Sequence, residues 1–171
     1  KFDDWKPVLI EHAESKLKSG EYIEAAFFYR AAEFYTLYGQ DDKELLYDKF
    51  ISLFYSHMPL EGVSVENIPY KESFLHALKI PNKTNERKGT ILIHIGFDSF
   101  IEEFYSIAWY FTINGYEVIA FDGPGQGKTI KKFNIPFDYE WEKPVKSILD
   151  YYKIKEAALL GISLGGYLCL R

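Results

Sequence analysis

The sequence predicts an α/β architecture: a doubly wound, mostly parallel sheet covered by helices, preceded by a purely helical segment. Three features lead there. Up to about residue 58, apolar residues recur at helical spacing. Beyond Pro59 the pattern changes to strand-like alternation, and from residue 89 short apolar runs alternate with helical runs. The boundary divides the chain into a helical segment, 1–60, and a sheet-bearing part, 61–171.

Asp3 and Asp4 offer N-caps to a first helix, whose Trp5, Leu9, Ala13 and Leu17 run on to Ser19-Gly20. A second helix is expected from Glu21 to Tyr38, apolar nearly all round and closed by Gly39. The third opens at Asp41-Asp42, carries Leu46, Phe50, Leu53 and Phe54, and stops at Pro59. Small alanines between such helices suggest a helical repeat, but no second copy follows at a fixed period. Val63–Ile68 and Phe74–Ile80 are strand candidates, and residues 81–89 form a polar loop. Then come a buried strand at Thr90–Ile95, a helix from Glu102 to Asn114 closed by Gly115, and a strand at Glu117–Phe121. A helix at Tyr139–Tyr152 and a strand at Ala157–Leu160 complete the alternation.

Composition excludes several function classes. The chain has 171 residues, 47% hydrophobic and 18% aromatic, enough for a substantial core. Net charge is −5 without a basic cluster, which argues against nucleic acid or an anionic membrane as partner. No apolar run is long enough to span a bilayer, and Lys1-Phe2-Asp3-Asp4-Trp5 lacks signal-peptide character. The single cysteine, Cys169, excludes an internal disulfide and suits a reducing, cytoplasmic setting; a buried core thiol is expected.

The chemistry is concentrated at the end of the chain. Ala157–Leu160 leads into Gly161-x-Ser163-x-Gly165, and an apolar segment follows. Strand, sharp turn and helix are the context of a nucleophile elbow. Gly161 and Gly165 would be needed because side chains there would collide with the neighbouring strand or helix, and Ser163 would stand at a helix N-terminus, where a developing anion is favoured. The stretch His94-Ile95-Gly96-Phe97-Asp98-Ser99 leaves the first central strand and can aim N–H groups at that serine, with the N–H of Leu164 as second donor. Asp98 is a candidate pocket residue.

Asp122-Gly123-Pro124-Gly125-Gln126-Gly127-Lys128-Thr129 ends as a phosphate-binding loop does. Such a loop needs glycine at position 122, where Asp122 would repel the phosphates, and Pro136 follows too soon for a good helix. The stretch is therefore expected to be a loop that binds no nucleotide. Asp122 reads as a loop brace, Glu102-Glu103 as first-turn helix charges, His12 and His57 as packing or surface residues, and His94 as a hydrogen-bond partner of the loop that follows it.

Taken in order, Ile-His-Ile-Gly-Phe-Asp-Ser, Phe-Asp-Gly-Pro-Gly-Gln-Gly and Gly-Ile-Ser-Leu-Gly-Gly resemble the α/β-hydrolase superfamily over residues 63–171. The likeness is greatest to its branch containing 2,6-dihydroxypseudooxynicotine hydrolase, fermentation-respiration-switch proteins and acylaminoacyl-peptidase-like enzymes. It implies an α/β-hydrolase sheet, incomplete in this chain, with a helical N-terminal cap. It also implies Ser163 as nucleophile, Gly96-Phe97 as oxyanion turn, and no metal or organic cofactor. Ile95 departs from the pattern, which often has glycine there. The implied activity is hydrolysis of an ester, amide or short acyl-peptide bond through an acyl-enzyme, on a small-molecule or short-peptide substrate, with a homodimer as the assembly to look for. The alternatives are a non-catalytic binding protein on the same fold and a helical module joined to a nucleotide-binding domain. The family order is serine, acid, histidine, whereas His12, His57, His76 and His94 all precede Ser163; the acid and base are expected beyond Arg171. The open edge at Ala157–Leu160 would then leave residues 1–171 alone prone to aggregate.

Overall fold

The computed structural model describes residues 2–171, with side chains from Asp4 onward. The chain forms two compact units, Lys1–Glu61 and Gly62–Arg171.

The first unit holds α1 (Phe2–Lys18), α2 (Tyr22–Phe34) and α3 (Asp42–His57). Helix α1 is already under way at Phe2, so Asp4 lies in its first turn rather than capping it; the Asp3 side chain lies outside the described residues. Gly20, at φ 77°, ends α1 in a left-handed turn open to a residue without Cβ. Ala13, Ala25, Ala26 and Ala32 are fully buried with Tyr29, Phe50 and Phe54, and the alanines let the helices approach closely. Trp5, at the head of the expected stripe, is exposed. Helix α2 stops at Phe34, four residues before the expected Tyr38, which is 97% exposed. The reason lies in the terminal carbonyls. Thr36 Oγ1 donates to Ala32 O (2.8 Å), and Lys43 Nζ donates to Glu33 O (2.7 Å) and Thr36 O (2.8 Å), replacing the bonds another helical turn would make.

The second unit is a five-stranded mixed sheet of order β1-β2-β4-β3-β5. Strands β1 (Ser64–Tyr70) and β2 (Ser73–Ile80) are joined by two residues, Lys71 and Glu72, which can link only antiparallel neighbours. Lys71 takes the positive φ, 51°, that such a turn needs. Strand β2 pairs antiparallel with β4 (Tyr116–Asp122), whereas β3 (Gly89–His94) pairs parallel with β4 and with β5 (Ala158–Gly161). The parallel sheet expected from alternating strands and helices is thus β4-β3-β5, with an antiparallel hairpin on one side. The helix expected at 102–114 divides into a 3₁₀ turn, Ile101–Phe104, and α4 (Tyr105–Thr112). The glycine-rich stretch 122–129, expected as loop, runs at its end into the short helix α5 (Gly127–Lys131). Helices α6 (Glu142–Tyr152) and α7 (Leu164–Leu168) complete the unit. Leu92, Ile119 and Phe121 of the central strands pack with Trp141 and Ile148 in one core. Cys169, just after α7, is half-buried rather than a core thiol. No described helix is long and apolar enough to cross a membrane.

Helix α2 carries an ion pair that its apolar pattern hides. Arg30 Nη1 lies 2.8 Å from Glu33 Oε2, with Lys43 Nζ 3.0 Å from Glu33 Oε1, and both Arg30 and Glu33 are buried. Removing one member strands a desolvated charge. Glu33→Ala should therefore destabilise the helical unit by about 3–5 kcal/mol in urea unfolding followed by circular dichroism. An Arg30→Met/Glu33→Leu double change should recover most of that loss, since it leaves neither of the two charges buried.

Candidate functional site

Strand β5 ends at Gly161, and the chain reverses into α7 through Ile162 and Ser163. Ser163 has φ 54° and ψ −122°, a conformation that side chains disfavour, and it is exposed. Two turn bonds hold it there, Gly165 N–H to Ile162 O and Gly166 N–H to Ser163 O, both 2.9 Å. The flanking glycines are required by space. A Cβ on Gly165 would stand 2.1 Å from His94 O, and one on Gly161 would stand 2.4 Å from Gly166 Cα. The first contact is with strand β3 and the second with α7, the two neighbours expected from the sequence. The N–H of Leu164, first residue of α7, is one of the helix-start donors without an intrahelical acceptor.

The loop leaving β3 lies beside this turn. A Cβ on Gly96 would come within 3.3 Å of Ser163 Cβ and 3.0 Å of Ser99 Oγ. Ile95, the departure from the family pattern, is fully buried. Phe97 and Asp98 are exposed, and the Phe97 ring meets Phe137 edge-on with centroids 6.2 Å apart.

The glycine-rich stretch after β4 braces that loop, through a residue the sequence reading passed over. Gln126 is 1% exposed. Its Nε2 donates to Ile95 O (3.0 Å) and Gly96 O (2.8 Å), and its Oε1 accepts from Gly123 N–H (2.9 Å). The available signal was a lone long polar side chain among glycines, where it has backbone groups within reach. Asp122 is the expected brace. Its Oδ1 accepts from Ile101 N–H (3.3 Å) and its Oδ2 from Lys128 N–H (2.8 Å), while Thr129 Oγ1 donates to Asp122 O (2.7 Å). Burial pushes the Asp122 carboxyl well above the usual range, with the Glu102 charge adding to it and the two N–H bonds opposing it. The carboxylate fills the start of α5, where a nucleotide-binding loop would hold phosphate. A Cβ on Gly127 would lie 2.2 Å from it.

One expectation is extended by the structure and one is corrected. Glu102 lies in the first turn of the 3₁₀ segment, as expected, but it is buried there, with Oε1 3.5 Å from the buried His76 Nε2. Strand β2 antiparallel to β4 brings His76 opposite Asp122 and so creates this polar cluster, which no local sequence pattern announces. Glu103 does serve the helix start, accepting from Phe100 N–H at 2.7 Å. His94 does not bond the loop after it through its ring. Strand alternation turns the ring into the core, where Nδ1 accepts from the Nε1–H of Trp141, just before α6, at 3.0 Å and Phe121 of β4 packs at 5.4 Å. Burial lowers its pKa to about 4, so the imidazole is neutral, with its proton on Nε2. Its backbone oxygen, by contrast, receives the Ile162 N–H at 2.9 Å. His12 stacks on Phe28 and His57 on Tyr22, as packing residues do.

Residues 89–171 match the family model described as the alpha/beta hydrolase fold. A hydrolase of Aspergillus aculeatus is 30% identical over 185 residues, covering 90% of this chain and 43% of the relative. The 20-hydroxy-prefusarin hydrolase of Gibberella moniliformis is 32% identical over 171 residues, covering 88% and 41%. Among solved structures, 2,6-dihydroxy-pseudo-oxynicotine hydrolase superposes with TM-score 0.63 at 20% identity, over 96% of this chain and 51% of that one. AbyA5 superposes with TM-score 0.79 at 19% identity, over 97% and 50%. The chain spans about two fifths of the length of the curated relatives described here.

Two measurements check this geometry. Ser163→Gly should be more stable than Ser163→Ala by about 1 kcal/mol in urea unfolding, because only glycine tolerates φ 54° and ψ −122° without strain. Equal stabilities would mean that the turn is relaxed. The second concerns acid. An unfolded His94 binds a proton near 6.5 and the folded one near 4, so the unfolded state takes up more protons between these values. Stability from this residue is present above pH 6.5 and is lost as pH falls towards 4, by about 3 kcal/mol in all. Asp122, whose pKa is raised, works in the opposite sense in acid. The difference between the wild type and His94→Gln, unfolded in urea at a series of pH values, isolates the histidine and should show this slope.

Proposed function

The chain belongs to the α/β-hydrolase superfamily, and from that premise we propose that it is a serine hydrolase acting through Ser163. The observation that carries the reading is the exposed Ser163 at φ 54° and ψ −122°, between a parallel strand and a helix start, with Gly96 beside it. In the proposed reaction Ser163 Oγ bonds to the carbonyl carbon of an ester, amide or short acyl-peptide while its proton passes to a base. The carbonyl π pair moves onto oxygen, which the N–H groups of Phe97 and Leu164 stabilise. Collapse expels the alcohol or amine, which takes up a proton. Water then attacks the acyl-enzyme by the same steps, releasing the acid and restoring Ser163 Oγ–H.

Within the sheet-bearing unit both histidines are buried, His94 against Trp141 and His76 against Glu102. The reading therefore takes the base from neither of these two. It assigns the helical segment 1–60 the part of a cap. The exposed Phe97 and Phe137 rings favour a substrate with an apolar or aromatic group next to the reacting carbonyl. A small molecule or short peptide is the partner this site suits. A fluorophosphonate probe incubated with the full-length protein should label Ser163, and Ser163→Ala should abolish the labelling. Labelling that survives in the variant removes Ser163 from the mechanism; an unlabelled wild type favours a binding protein on the same fold.

A further inference from the structure

We infer that the side-chain amide of Gln126 sets the plane of the Gly96–Phe97 peptide and thereby aims the Phe97 N–H. The inference rests on the serine-hydrolase reading, since it assigns that N–H to the developing oxyanion. Gln126 is then a positioning residue, touching the loop and not the substrate.

The buried amide is fully used. Both Nε2 hydrogens have acceptors, Ile95 O at 3.0 Å and Gly96 O at 2.8 Å, and Oε1 holds the Gly123 N–H at 2.9 Å. In an extended chain successive carbonyls point to opposite sides, yet here two successive carbonyls converge on one nitrogen. That convergence bends the chain at Gly96. A planar trans peptide points its N–H opposite to its C=O, so drawing Gly96 O inward to Gln126 turns the Phe97 N–H away from the interior. Gly96, whose absent Cβ leaves room beside Ser163, offers the least intrinsic resistance to a different peptide plane. A tie from outside the loop is therefore what holds its orientation.

The tie is itself anchored. Gln126 immediately precedes α5, and Asp122 grips that helix through Lys128 N–H and grips the turn after the loop through Ile101 N–H. The Gly-Pro-Gly-Gln-Gly stretch thus carries an amide at a fixed distance from the loop. Glutamate at 126 would set an anionic oxygen against two carbonyls, and methionine would fill the space without donating.

The test uses the full-length protein with p-nitrophenyl butyrate, each variant assayed below its own melting transition. Oxyanion donors act in the transition state, so misaiming one should lower kcat and leave KM nearly alone. Loss of a whole donor lowers kcat about 10²–10³-fold; Gln126→Met should lower it about 10- to 100-fold, with KM within about twofold. Gln126→Glu should be weaker still at neutral pH. Its kcat relative to wild type should rise as pH falls, because a neutral carboxyl can again donate one O–H to a carbonyl. A purely structural role would not produce that pH-dependent ratio. Wild-type kcat in Gln126→Met, or a loss confined to KM, overturns the inference. If Ser163 is labelled by fluorophosphonate and the Gln126 variants turn over normally, only this inference fails. If Ser163 is not labelled, the serine-hydrolase reading fails and takes the inference with it.

Discussion

The site depends on one close approach, that of Gly165 to the end of β3. The His94 carbonyl receives the Ile162 N–H at 2.9 Å, and the same oxygen would stand 2.1 Å from any Cβ on Gly165. This contact pulls the turn against the central strand, so that Ser163 must take a left-handed backbone angle to let the chain reverse. Strain of this kind costs about 1–3 kcal/mol and persists only where the surroundings over-determine it. Here they do: a parallel ladder to β3 on one side, two turn bonds at 2.9 Å on the other, and glycines wherever a side chain would force the elements apart. The serine is exposed because the turn is strained, and the turn is strained because β3 and α7 are so near.

The second half of the site is held from beneath the sheet's carboxyl end. The side chains of Asp122 and Gln126 bond backbone groups of four segments: the loop after β3, the 3₁₀ turn at Ile101, the turn at Gly123 after β4, and the start of α5. Burying these groups is unfavourable unless each is paired, and the observed bonds supply the pairing. The result is rigidity in a region built of glycine, where rigidity is otherwise hardest to obtain. The buried His76 and Glu102 lie next to this brace, and the charge of Glu102 helps to raise the pKa of Asp122. Trp141 supports the other side. Its ring lies where a Cβ on Gly123 would be, and its N–H meets His94.

Much of the fold was legible because its signals are local. The change of period at Pro59, the strand–helix alternation after residue 89 and the Gly161-x-Ser163-x-Gly165 turn each follow from neighbouring residues. What escaped depends on partners far away in the chain. Glu102 is the helix-start charge it reads as, but its burial beside His76 follows only from β2 placing His76 opposite Asp122. Helix α2 looks four residues longer until Lys43 reaches back to its carbonyls. The ring of His94 turns to Trp141, 47 residues on. Gln126 reads as loop filler until its three partners are known. Periodicity reports which face of an element is apolar; it does not report which distant polar group will meet a buried one.

The Gly-Lys-Thr ending at residues 127–129 shows the same limit from the other side. Helix starts attract anions because their N–H groups lack intrahelical acceptors, and glycines allow close approach. Both conditions hold at α5, where the Lys128 N–H donates to an oxygen acceptor and Gly127 has no Cβ to obstruct it. That place, however, is taken by the chain's own Asp122 carboxyl group, which also ties down Ile101. A ligand phosphate would have to displace a buried side chain and break the link that steadies the loop beside Ser163. The residue at position 122 therefore decides between the two uses of one local geometry. Glycine there would leave the helix start open for a ligand, whereas aspartate closes it and converts the loop into a support for its neighbour.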